Sequence, residues 1–145
     1  MLNNFNFLLN NIKSIDNNTI IIITCLNGNL IEQKISKNNG RYEIIHGDEP
    51  LYGVYDMNEY LNNFKKIMVY FKGVYCIENG YIEYLVNPKW LIKQFSNIGY
   101  TLITNHNFLN VYKQYLIDLK NNLSDKHKKV CELHTIFIFK KNYIY

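Results

Sequence analysis

Tyr81-Ile82-Glu83-Tyr84-Leu85-Val86-Asn87-Pro88-Lys89-Trp90-Leu91 runs a strand directly into a helix, and the reading of the 145-residue chain starts from that junction. Asn87 suits a helix N-cap, because its short side-chain oxygen can accept from the free amides of a first turn. Pro88 suits the first helical position, where a missing amide costs nothing. The strand must therefore stop there. Within it Glu83 and Tyr84 point to opposite faces, so one can look over a pocket while the other packs inward. Downstream, Leu91, Phe95 and Ile98 share one helical face over 88–98, and Gly99 sits where a left-handed C-cap residue belongs. Upstream, Asn79-Gly80 is a turn signal, and Tyr81–Val86 is expected to pair with Ile67–Tyr75 across it.

Further from the junction, Leu2, Phe5, Leu8 or Leu9, Ile12 and Ile15 recur at spacings of three and four, which predicts an amphipathic first helix ending near Ser14. Thr19–Leu26 is a β-branched run without polar alternation, which predicts a strand covered on both faces and ended by Asn27-Gly28-Asn29. From Leu30 to Asn87, short aromatic runs broken by Asn-Gly and Gly-Asp pairs predict hairpins, an excursion from the main sheet. Asn38-Asn39-Gly40 is a turn, and Asn58–Lys66 is a short helix or a loop. Tyr100–Thr104 reads as a strand. Asn105 or Asn107 then caps a helix with Phe108, Tyr112, Tyr115, Leu116 and Leu119 in one stripe. Asn121–Lys129 reads as a solvated loop, with Lys120, Lys126, Lys128 and Lys129 in and around it. Cys131–Lys140 reads as a strand apolar on both sides and hence inside the sheet.

The length suits one domain, residues 1–145, and 48% apolar residues suffice for a core. Alanine is absent, and Arg41 is the sole arginine among 16 basic residues, a bias expected of an AT-rich genome. The net charge of +4 therefore carries little information about nucleic acid. Cys25, Cys76 and Cys131 are odd in number and set in apolar strands, which favours reduced, buried thiols over disulfides. His46, His106 and His127 have neither metal-ligand spacing nor a partner set for a catalytic triad. No signal peptide or membrane span is read, and a cytoplasmic protein is expected.

Five segments, in this order, resemble the C-terminal half of messenger-RNA cap guanine-N7 methyltransferases: Thr19–Asn29, Met68–Val74, Glu83-Tyr84-Leu85-Val86, Leu91–Thr104 and Phe137-Ile138-Phe139-Lys140-Lys141. The resemblance implies an α/β fold: a truncated S-adenosylmethionine-dependent methyltransferase-like mixed sheet, holding the last three strands with flanking helices and a β-rich insertion. The half that holds the cofactor is missing. A glycine-rich turn after a first strand and an acidic residue ending a second would be needed, and the only candidates, Asn27-Gly28-Asn29 and the sparse acids of the first fifty residues, stand in the wrong order.

The implied function is that of a non-catalytic, stimulatory subunit, similar to the small subunit of poxvirus capping enzymes. It would form a heterodimer with a catalytic capping-enzyme chain that carries S-adenosylmethionine, in the cytoplasm, from a virus or extrachromosomal element. A strand deprived of its neighbour leaves an apolar edge at Thr19–Leu26 that needs covering, either by the N-terminal helix or by another chain. Thr19, Ile21, Ile23 and the large Trp90 are therefore the candidate interface residues. By resemblance, Glu83 takes the place of the carboxylate that accepts hydrogen bonds from the cap guanine. Tyr84 is its neighbour, and His134 stands three residues before the Phe-x-Phe ending, where relatives place a tyrosine. Catalytic residues and metal ligands are not assigned. Two other readings stay open: a cap-binding half of a split methyltransferase, and a small RNA-binding or transcription accessory protein.

Overall fold

The computed structural model describes residues 2–16, 18–73, 80–116 and 123–142; Cys76, Asn79, Leu119 and Lys120 lie outside the described residues. Among the described residues the chain is mixed α/β, with two antiparallel sheets and five α-helices. Its helices are α1 (Leu2–Lys13), α2 (Gly28–Lys37), α3 (Pro88–Asn97), the single turn α4 (Phe108–Val111) continuing as a π-helical turn (Tyr112–Leu116), and α5 (Asp125–Glu132). Its strands are β1 (Ile20–Leu26), β2 (Arg41–His46), β3 (Glu49–Leu61), β4 (Phe64–Phe71), β5 (Tyr81–Tyr84), β6 (Tyr100–Asn107) and β7 (His134–Lys141).

One sheet has the order β1-β7-β6. Both outer strands run antiparallel to β7, from Ile20↔Lys140 to Leu26↔His134 on one side and from Tyr100↔Lys141 to Asn107↔Thr135 on the other. As expected of a strand apolar on both sides, the last strand lies inside the sheet. On one face Phe137 and Phe139 pack with Leu9 and Ile12 of α1 and with Leu91 and Phe95 of α3. The Phe95 ring stacks on Phe139 at 4.4 Å and meets Tyr100 edge-on at 6.2 Å. Lys141 ties this layer together by donating to the carbonyls of Lys13 and Ile15 at the end of α1, where the helix dipole favours a cation.

The second sheet, in the order β2-β3-β4-β5, forms the β-rich excursion. Its inner face, with Ile44, Tyr52, Val54, Ile67 and Val69, packs against Ile31 and Ile35 of α2 and Val130 of α5. The β4–β5 pairing, Lys66↔Tyr84 to Val69↔Tyr81, is the one expected.

The structure corrects several expectations. β1 is not covered on both faces: Ile20 is 56% and Ile22 63% exposed, because no described element lies over that side of a strand at the sheet's edge. Asn27-Gly28-Asn29 does not lead into a hairpin. Asn27 is the N-cap of α2, its side chain accepting from the Leu30 amide at 3.2 Å, and Ile31 and Ile35, one turn apart, drive that helix into the core. Asn58–Lys66 is neither helix nor loop but the β3–β4 hairpin, turned at Asn62 and Asn63, whose φ values of 48° and 70° suit asparagine. Lys126, Lys128, Lys129 and Cys131 belong to α5, capped by Ser124, so the last strand starts only at His134. Of the two proposed caps, Asn107 accepts from the Asn110 amide at 2.8 Å, while Asn105 remains in β6. The helix it starts turns π-helical within four residues, and of the predicted stripe only Phe108 and Tyr112 have described side chains.

Candidate functional site

Two chain junctions, β1–α2 and β5–α3, meet beside the start of β7. At the end of β1, the Asn27 amide donates to the Leu133 carbonyl at 2.8 Å, and its side-chain amide reaches the Thr135 hydroxyl at 3.4 Å. At the β5–α3 junction, the Asn87 side chain accepts from the amides of Lys89 (2.9 Å) and Trp90 (3.3 Å) and donates to Asn29 at 3.2 Å. Gly28 lets the two junctions touch: a β-carbon there would lie 2.5 Å from the Val86 carbonyl oxygen. The glycine thus serves a backbone crossing, and with Asn29 it also borders a separate cavity of about 280 Å³.

Beside this crossing lies a cavity of about 370 Å³ lined by Thr24, Cys25 and Leu26 of β1, Tyr81, Glu83 and Tyr84 of β5, Val86, and His134 of β7. The three residues singled out for guanine contact, Glu83, Tyr84 and His134, are therefore brought to one place although 50 positions separate the first from the last. Burial pushes the Glu83 carboxyl above its ordinary range, opposed by a hydrogen bond from Tyr81 and by the nearby His134. His134 Nδ1 lies 3.0 Å from the Val130 carbonyl oxygen; a carbonyl only accepts, so Nδ1 carries the proton. In the neutral ring Nε2 is then an acceptor. The ring is flanked by Phe108 at 5.4 Å and by the edge of Tyr52 at 6.3 Å, which fixes its plane. Burial holds the Cys25 thiol protonated, its pKa pushed up to about 11 with Glu83 adding to the effect, so it is no nucleophile at neutral pH.

Chemically the cavity offers a carboxylate with acceptor capacity, a phenol and an imidazole on a partly apolar wall, a set that can hold a planar group presenting hydrogen-bond donors. Tyr81 and Cys25 were not among the residues anticipated here. Period-two alternation was the available signal for Tyr81, since it shares a strand face with Glu83.

The interface candidates are placed differently. Ile21 and Ile23 pack against the α1–α3 layer, Thr19 is half-buried just before β1, and the bare side of that strand carries Ile20 and Ile22. Trp90 is half-buried, its ring tilted on Phe5 at 5.1 Å and edge-on to Phe64 at 4.8 Å. Among the described residues no group of His, Cys, Asp and Glu side chains is placed to hold a metal ion, and no helix is long and apolar enough to cross a membrane. No family model matches the chain, and no curated protein matches its sequence.

Proposed function

We propose that this chain is a non-catalytic regulatory subunit of an mRNA capping enzyme, one that binds a catalytic cap guanine-N7 methyltransferase chain and raises its activity. One observation carries the reading. Three of the five segments that carry the resemblance supply β1, β6 and β7, which form one sheet, while the other two belong to the β4–β5 side of the second sheet; β1 ends the first sheet with an edge that no described strand pairs. A strand of this composition with a free edge and an isoleucine-bearing bare face is an aggregation hazard unless another chain covers it. Stimulation follows as a population shift. If this chain binds the competent conformation of the catalytic chain more tightly than the idle one, it raises that chain's apparent affinity for RNA and for the methyl donor. S-adenosylmethionine belongs, on this reading, to the catalytic chain.

A second reading, the cap-binding half of a split enzyme, is favoured by the gathering of Glu83, Tyr84 and His134 in one cavity. Reconstitution with a cap methyltransferase chain from the same source separates the two. On the first reading Glu83→Ala leaves the stimulated pair's affinity for capped RNA unchanged; on the second it lowers it, because a guanine edge left without its acceptor is costly. Methyl-donor binding by this chain alone contradicts the first reading.

A further inference from the structure

Behind the Glu83 cavity lies a second one that shares two of its walls. It is bordered by α1, β1 and α3, with Phe64 of β4 and Val86 completing its lining, is open to solvent on one side, has a volume of about 170 Å³, and differs in chemistry from its neighbour. Three rings frame it. Trp90 is tilted against Phe5 at 5.1 Å and stands edge-on to Phe64 at 4.8 Å. Ile23, Cys25 and Val86 form the base, and Leu8, 48% exposed, stands at the rim. The Cys25 thiol stays neutral, as burial raises its pKa. The walls are thus rings, branched aliphatic groups and an uncharged thiol. A water molecule needs two to four polar partners to be held in such a space, and this lining offers none, so filling the cavity displaces no well-bonded solvent.

We propose that this cavity is a binding site for one uncharged aromatic ring. The size selects a single ring, since apolar cavities of about 150 Å³ take up benzene. The wall chemistry excludes a charged substituent, which would lose its hydration without gaining a partner. The frame of three rings favours an aromatic guest over an aliphatic one, through edge and offset contacts. Because Cys25 and Val86 border both cavities, a ring seated here bears on the wall of the Glu83 site. This inference is independent of the capping-enzyme reading.

The probe is benzene, and the reporter is Trp90, the chain's one tryptophan. Titration of the whole chain should give a saturable change in Trp90 emission at concentrations on the order of millimolar. At ten times the half-saturating concentration the unfolding temperature should rise by about 3–6 °C. Benzoate and benzylammonium at equal concentration should do neither. Ile23→Phe, which fills the void, should still unfold cooperatively but lose the benzene response; Val86→Leu serves if that variant does not fold. Competition by N-acetylphenylalaninamide would assign the natural ring to a protein side chain, and competition by toluene alone would assign it to a free small molecule. Absence of a saturable response in the natural chain, a benzoate response equal to that of benzene, or an undiminished response in a folded, filled variant overturns the proposal.

Discussion

Replacing Gly28 with alanine tests whether the crossing of the β1–α2 and β5–α3 junctions organises the molecule. On propensity alone the change should stabilise, because alanine in a helix is better than glycine by about 0.5–1 kcal/mol. The surroundings reverse the sign. The new β-carbon would lie 2.5 Å from the Val86 carbonyl oxygen and 3.0 Å from its carbonyl carbon, so one backbone must retreat by roughly an ångström to restore van der Waals contact. Val86 has little room to do so. On one side the buried Leu85 donates its amide to Lys65 at 2.9 Å, and on the other Asn87 holds the first turn of α3. Forcing a methyl group into a packed site costs about 1–3 kcal/mol; at the upper end, where the site gives little, subtracting the propensity gain leaves a net loss of roughly 2 kcal/mol. With a urea slope of about 1–3 kcal/mol per molar, the midpoint should fall by roughly 0.5–2 M. Ser36→Ala, at an exposed position of the same helix, is the control and should raise the midpoint slightly, since alanine is the better helix former. A Gly28→Ala chain as stable as the natural one would refute the reasoning, for it would mean that the two junctions are not in contact.

Three other outcomes are expected. Phe95→Ala should cost about 3–5 kcal/mol in urea unfolding, because a fully buried ring stacked on Phe139 leaves a cavity beneath α3. Glu83→Gln should stabilise the chain at neutral pH. The folded-state pKa of Glu83 is raised, so the folded chain holds the proton more tightly and loses stability as pH rises from the ordinary value of 4.5 through the raised one. Unfolding measured at several pH values should therefore show the variant's advantage vanish below that window, and a constant difference across it would argue against a buried carboxyl. Ile22→Lys, at a side chain 63% exposed, should change stability by no more than about 0.5 kcal/mol yet weaken association with the catalytic chain in sedimentation or pull-down measurements.

Local chemistry made part of this structure readable in advance. Asn87-Pro88 and Gly99 bound a helix because each answers a requirement of the helix end itself, and α3 starts and stops where they place it. Phe137 and Phe139 on one face with Ile136 and Ile138 on the other marked the central strand, and the Glu83-Tyr84 pair together with His134 gave three walls of the cavity. α2 was hidden because Asn-Gly-Asn is as good a turn as it is a cap, and only Ile31 and Ile35, packed against the second sheet, distinguish them. The Asn62-Asn63 hairpin was missed for the opposite reason: two asparagines with positive φ carry the turn without the glycine that usually announces it. The bare face of β1 was unreadable, since an unbroken run of isoleucines looks the same whether one side is covered or two.

Methyl transfer to capped RNA, with the cap methyltransferase chain from the same source assayed alone, with this chain added, and with this chain by itself, bears most directly on the proposed role. The account predicts no transfer by this chain alone and a several-fold rise when the two are combined, lost with Ile22→Lys. Transfer by this chain in isolation, or a catalytic chain whose rate is unchanged by its addition, would contradict it.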